Sequence, residues 1–217
     1  MNGPIIQLLV LAGIAIFLVL RLRGVLGTRE GFEKPPVPLD KPAPAKRDFE
    51  VIEGGPDRDI IDHADEGTST ALALAEMKRI DPSFNVGEFL GGARQAYEMI
   101  LMAFERGDLD EVKSFISEDI EAAFTAVIHD RADKGLTVDA TFVGISELKL
   151  RDATFDQSIK EAELTIRFGG ELAYVVRDHG GDIVDGDPNA IKKQKDVWTF
   201  ARVMDSGDPN WRLVATE

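Results

Sequence analysis

Hydrophobic and polar positions divide this chain into three stretches with different periods. From Pro4 to Leu20 it runs PIIQLLVLAGIAIFLVL without a charge, and Arg21 and Arg23 follow at once. At about 1.5 Å per residue, Pro4 to Leu22 predicts a helix of roughly 28 Å, close to the ~30 Å of a bilayer's hydrocarbon core. Such a helix satisfies its own backbone hydrogen bonds, which lipid cannot do. Pro4, Leu8, Leu11, Phe17 and Leu20 belong to the predicted apolar rod, and Arg21 and Arg23 form its charged collar. From Gly24 to Gly67 the composition turns to proline, glycine and charge, as in Lys34-Pro35-Pro36-Val37-Pro38 and Glu53-Gly54-Gly55-Pro56. Without a sustained apolar period, this segment predicts a semi-extended tether. As a flexible coil of about 40 residues it would span roughly 35 Å. Phe49, Val51, Ile52, Ile60 and Ile61 interrupt it, and strand-like packing against the domain is the reading favoured for them.

A helical period begins near Ser69. Leu72, Leu74, Ala75, Met77 and Ile80 make a short amphipathic helix that Asp81-Pro82 ends. Asn85 to Glu88 reads as a capping box, and Phe89, Leu90, Ala93, Tyr97, Ile100, Leu101 and Phe104 follow on one helical face. Gly107 stops that helix. Asp108 is positioned to cap another, carrying Val112, Phe115 and Ile116, and Ser117 a third, with Ile120, Phe124, Val127 and Ile128, closed by Gly135.

After Gly135 the period falls to two. Val138, Ala140 and Phe142 alternate with polar residues, and Gly144 reads as a bulge. From Lys160 to Phe168, Ala162, Leu164, Ile166 and Phe168 face one way while Glu161, Glu163, Thr165 and Arg167 face the other. Leu172–Val176, Val197–Met204 and Trp211–Ala215 predict further strands. Helices followed by antiparallel strands make an α+β pattern in which a sheet packs its apolar face on the helices. The expected organisation is therefore a transmembrane anchor at 1–23, a tether at 24–67 and an α+β domain at 68–217.

The N-terminal stretch reads as an anchor rather than a cleaved signal. No basic side chain precedes Pro4, and Arg21-Leu22-Arg23 stands where a small-residue cleavage site would be needed. With Arg21, Arg23 and Arg29 all C-terminal to the rod, the positive-inside rule puts the domain in the cytoplasm. The absence of cysteine fits a reducing compartment. A formal net charge of −14 argues against a nucleic-acid partner, whose phosphates need a basic surface. It also argues against broad adhesion to anionic lipid, so the expected lipid contact is the N-terminal helix alone.

Several residues together carry a resemblance. Phe89-Leu90-Gly91-Gly92-Ala93-Arg94-Gln95-Ala96-Tyr97, Ala103-Phe104-Glu105-Arg106-Gly107-Asp108, Asp196-Val197-Trp198-Thr199-Phe200-Ala201-Arg202 and Trp211-Arg212-Leu213 are similar to motifs of the Tim44-like domain family. That family is named for the adaptor of the mitochondrial inner-membrane import motor, and its bacterial TimA-type members pair the domain with an N-terminal membrane helix. The resemblance covers about two thirds of the chain. It implies a nuclear-transport-factor-two-like cone, a curved antiparallel sheet wrapped on long helices around an apolar pocket. It also implies an adaptor or scaffold at a bacterial inner membrane that binds protein partners and works with chaperone or translocation machinery.

Phe89, Tyr97, Leu101, Phe142, Ile166, Trp198, Phe200 and Trp211 are the candidate pocket or core residues. No cofactor or metal is expected: His63, His129 and His179 are scattered and no cysteine joins them. Asp178 to Asp187 is acidic but lacks the order of a calcium loop, and reads as a hairpin turn. Lys192, Lys193 and Lys195 form the densest basic patch and read as a solvated strand edge. Catalysis in such a cone would need an Asp in an apolar site partnered with a Tyr. Asp139 and Asp156 lie near the predicted sheet, Tyr97 and Tyr174 are the tyrosines of the chain, and no spacing joins an Asp to a Tyr, so an enzyme is not expected. Two rival functions stay open, a membrane tether for ribosomes and a pocket that binds a small molecule or lipid. The sequence names neither the partner nor the oligomeric state.

Overall fold

The computed structural model describes residues 57–217. The predicted anchor, with Pro4, Leu8, Leu11, Phe17, Leu20, Arg21 and Arg23, and the tether as far as Pro56 lie outside the described residues. Among those described, no helix is long and apolar enough to cross a membrane. The elements run α1 (Arg58–Ile61), α2 (Ser69–Ile80), α3 (Val86–Arg106), a 3-10 turn (Asp110–Phe115), α4 (Glu118–Asp133), β1 (Thr137–Asp156), β2 (Glu161–Arg177), β3 (Ile183–Val203) and β4 (Arg212–Thr216).

The helix boundaries follow from their caps. Thr68 accepts the Ala71 N–H at 3.2 Å, Asn85 the Glu88 N–H at 2.8 Å and Ser117 the Ile120 N–H at 3.3 Å, each filling an orphan donor of a first turn. Gly107 closes α3 at φ +75°, a conformation cheap only for glycine. The segment predicted as a helix after Asp108 is instead the 3-10 turn. Leu109 and Val112 are both buried and Phe115 packs on the core, and i, i+3 side chains eclipse in the tighter helix. Leu72, assigned to the apolar face of α2, is exposed, while Ala71, Leu74 and Met77 bury the face that counts.

All four strands are antiparallel, in the order β1-β2-β3-β4. The helices pack on one face of this sheet, an α+β arrangement. Ala162, Leu164, Ile166 and Phe168 point into that interface fully buried, as their alternation predicts. The bulge expected at Gly144 is present as a register shift between Phe142 and Gly144. Two strand boundaries differ from expectation. Lys160–Phe168 and Leu172–Val176 are one strand, because Gly169 and Gly170 are places of close approach and not a turn. A Cβ on Gly170 would overlap the Tyr97 hydroxyl, and one on Gly169 would lie 3.0 Å from Ser146 Oγ. β3 begins at Ile183, well before the predicted Val197. Its first half is polar and exposed, and pairs with the far half of β2 as a hairpin arm closed by the Asp178–Asp182 turn.

Residues 57–67, placed in the tether by composition, fold onto the domain. Ile60 is buried, and it packs from a helical turn and not from a strand. Asp59 takes the role of a remote cap for α3, accepting the Val86 N–H at 2.8 Å and the Gly87 N–H at 3.1 Å, and it pairs with Lys78 at 2.8 Å. Burial opposes charge on Asp59, but the hydrogen bonds from Lys78, Val86 and Gly87 outweigh it and hold the carboxyl below its ordinary pKa. Asp59→Ala should therefore cost about 1–2 kcal/mol in urea unfolding at neutral pH, the usual range for a lost cap. Because the folded pKa is depressed, the wild-type advantage should be fully present above about pH 4 and disappear as pH falls through the folded value.

Candidate functional site

An apolar cleft beside the buried stripe of α3

The helix α3 presents two adjacent stripes. Phe89, Leu90, Ala93, Tyr97, Ile100 and Leu101 face the sheet and are buried. Next to them run Glu88, Gly92, Gln95, Ala96 and Met99, and this stripe borders an open cleft of about 460 Å³. Its floor is Phe89, Ala93 and Phe200, and its far wall is Phe115, Pro209 and Trp211. The cleft exists partly because Gly92 has no side chain: a Cβ there would meet nothing within 4 Å.

Aromatic geometry fixes the walls. Phe89 meets Trp211 edge-on at 4.7 Å and Phe200 at 6.0 Å, the arrangements that ring quadrupoles favour. Arg202 lies over the Trp211 ring at 5.2 Å and pairs with Asp81 at 2.6 Å, so the end of α2 holds the outer wall in place. Hydrogen bonding from Ser83 first, and then the Arg202 bond, against some burial, keep the Asp81 carboxyl below its ordinary pKa, so the clamp stays charged at neutral pH. Glu88 is the one titratable side chain among the lining residues. The cleft suits apolar side chains of a ligand, with one carboxylate at its border.

Phe89, Phe200 and Trp211, of the eight candidate pocket or core residues, line this cleft. Tyr97, Leu101, Ile166 and Trp198 are buried inside the core, and Phe142 packs on its edge. Tyr97 stacks on Phe168 at 4.3 Å with an 11° interplanar angle and leans on Trp198 at 4.7 Å. Its hydroxyl donates to Asp196 Oδ2, while Gln194 Nε2 donates to both, at 3.2 Å to the tyrosine and 2.9 Å to the carboxylate. Burial, reinforced by Asp196, raises the Tyr97 pKa far above the ordinary phenol value, so the hydroxyl keeps its proton.

Asp139 and Asp156, the carboxylates expected near the sheet, do not meet a tyrosine. The structure joins Tyr97 to Asp196, and Tyr174 to Asp185 at 3.0 Å. Asp139 pairs instead opposite Val175, and Asp156 caps the β1–β2 turn through Ser158. One signal could have found Asp196. Gln194, Asp196, Trp198 and Phe200 alternate, which puts both polar residues on the face of the two buried aromatics.

A second hollow, of about 370 Å³, opens between the helices and the hairpin arm over Leu136, Val138 and Leu172. Glu105 and Arg131 pair across it at 3.2 Å, and burial raises the Glu105 pKa. Asp178 closes the arm's turn by accepting the Gly180 and Asp182 N–H groups. Among the described residues, no three His, Cys, Asp or Glu side chains cluster to hold a metal ion.

The profile of the Tim44-like domain matches residues 70–217. The human mitochondrial import inner membrane translocase subunit TIM44 is 27% identical over 151 residues, which cover 68% of this chain and 33% of the human protein. The Arabidopsis thaliana subunit TIM44-1 is 25% identical over 153 residues, 67% of this chain and 32% of that protein. The chain thus spans about a third of the length of the curated relatives it matches. The crystal structure of the intermembrane space region of chloroplast protein ARC6 gives a TM-score of 0.38 at 15% identity, covering 60% of this chain and 92% of that one.

Two substitutions test this geometry. Gly92→Leu should raise stability by about 0.5–1 kcal/mol, since it removes a helix-interior glycine into open space, while it fills the cleft and lowers binding of an apolar fluorescent probe. Gly170→Ala should destabilise by about 1–3 kcal/mol through overpacking against Tyr97. Adding Tyr97→Phe, which deletes the overlapping hydroxyl, should make the double variant less damaged than the sum of the two singles in a urea-unfolding cycle.

Proposed function

Because the chain belongs to the Tim44-like domain family, we propose that it is a membrane-anchored adaptor whose domain holds protein segments at a membrane. The relatives it matches are named as subunits of an inner-membrane import translocase, and the observation that supports transfer of a binding role is the apolar cleft along α3. The finer reading is a bacterial, TimA-type protein: residues 1–23 cross the inner membrane once, residues beyond them form a tether, and the domain stands in the cytoplasm. In that reading the sheet is the curved wall of a nuclear-transport-factor-two-like cone. Protein translocation or membrane-protein assembly is the process such an adaptor serves.

Chemistry favours adaptor over enzyme. The cleft carries one titratable group, Glu88, and the buried Tyr97 is fully enclosed by its neighbours. A small-molecule ligand is the second reading, since about 460 Å³ lies within the range of small-ligand sites.

A photo-crosslinking residue at Gln95, on the cleft rim, decides between them in the full-length chain in its native membranes. The adaptor reading expects a protein adduct that is absent when the probe sits at Ile159, on the exposed β1–β2 turn, and that Gly92→Leu suppresses. Equal labelling from both positions, or adducts with lipid or small molecules alone, would overturn it. Release of the chain from vesicles by alkaline carbonate would separately remove the anchor.

A further inference from the structure

The outer face of the sheet gathers Lys149, Arg167, Lys193 and Lys195 among Glu147 and Glu171, and among the described residues it borders an unpaired backbone edge. Strand β4 pairs with β3 only from Ala201 to Val197, where Val197 exchanges both backbone bonds with Glu217, at 3.0 and 2.8 Å. Both polar groups of Val197 therefore point to the β4 side. The β2–β3 register is regular from Arg167↔Val197 through Gly169↔Lys195 to Glu171↔Lys193. By the two-residue alternation of a strand, the N–H and C=O of Lys195 and Lys193 point the same way, to the outside. Among the described residues no strand meets them there.

Side chains reinforce that edge. Lys193, Lys195 and Arg167 project from the face away from the helices, next to Lys149. Lys193 has one partner, Glu171 at 3.2 Å, and Lys149 meets Glu147 at 3.7 Å. Among the described residues no carboxylate oxygen comes within 4.0 Å of Arg167 or Lys195. Lys192, by contrast, turns to the other face and lies 4.5 Å over the Tyr174 ring. Among the described residues most other lysines and arginines have a carboxylate within 4.0 Å, as Lys78, Arg131, Lys134 and Arg202 do.

We propose that an extended acidic peptide segment of a partner protein adds to the sheet at Lys193–Lys195, on the line of β4. Its backbone completes the ladder at the two free positions, and its outward carboxylates meet Lys193, Lys195 and Arg167. Strand addition draws affinity from main-chain bonds and specificity from alternate side chains. The lysines select: they oppose a neutral or basic strand, the usual protective role of lysine on an edge, and accept an acidic one. The rest of the acidic surface repels such a peptide, which confines it to this edge. This surface is separate from the cleft along α3, so its failure leaves the adaptor reading standing.

The test is fluorescence anisotropy of a labelled peptide of alternating Glu and Val on the full-length chain in detergent, against its Lys-Val counterpart. The Glu peptide should bind, the Lys peptide should not, and affinity should fall with salt. Lys195→Pro removes an outward N–H that the fold does not use, and should weaken binding by about tenfold or more. A Glu peptide N-methylated on its backbone should lose as much against the unaltered protein, whatever the fold of the proline variant. Undiminished binding of the methylated peptide would reduce the effect to charge alone and overturn the proposal. Slow hydrogen exchange at the Lys193 and Lys195 amides without peptide would overturn it too, since the edge would then be filled by the chain itself or a second copy.

Discussion

The contact between Tyr97 and the backbone at Gly170 organises this domain. It brings the middle of α3 so close to the middle of β2 that no side chain fits between them. The phenol ring lies flat on Phe168, and its hydroxyl reaches Asp196 on the next strand. One side chain thereby sets the distance between the helix and two strands at once. Its polar end is satisfied inside the interface, which matters because an unpaired buried hydroxyl would cost about 1–3 kcal/mol. Asp196 and Gln194 are the reason a tyrosine serves there. Phenylalanine would leave the carboxylate facing an apolar ring.

That close approach at mid-helix has consequences at both ends of α3. Toward its start, Phe89, Phe200 and Trp211 fill the widening space between helix and sheet, but not completely, and the remainder is the cleft. Toward its end, the hollow between the helices and the hairpin arm is lined by a helix–helix pair, Glu105 with Arg131, and a strand–strand pair, Lys192 with Tyr174. The first end offers apolar surface and the second a mixed lining of aliphatic and charged side chains, although both belong to one helix.

Local signals made most of the fold legible. Caps at Asn85 and Ser117, the glycine stop at Gly107 and the alternation from Ala162 to Phe168 each act within a few residues, and each stands where the period predicts. The misreadings have two causes, partners distant along the chain and exposure on both faces of a strand. Gly169-Gly170 looks like a turn in sequence because the reason for the glycines, Tyr97, stands far away along the chain. The first half of β3 looks like a loop because it is exposed on both faces and has no apolar alternation to show. Asp57 to Gly67 looks like tether because the carboxylate that matters, Asp59, caps a helix that begins at Val86. The candidate site was legible as a set of aromatics but not as a division between core and cleft. That division depends on Gly92, a residue whose contribution is an absence.

Charge separates the two candidate surfaces by the physics each would use. The cleft is lined by apolar groups and Glu88, so association there would draw on removal of apolar surface from water, a force that added simple salt leaves largely intact. The β3 edge sits in exposed positive charge, whose field decays over about 8 Å at physiological ionic strength. With such an arrangement an acidic protein would hold apolar segments by contact and would meet acidic strands by field plus backbone pairing. A partner carrying both an apolar patch and an acidic extended segment would engage both surfaces. The second contact would then form at the high effective concentration that tethering provides, not at the partner's bulk concentration. Two weak surfaces on one domain would be enough for a selective adaptor, because neither alone would retain a partner that lacks the other feature.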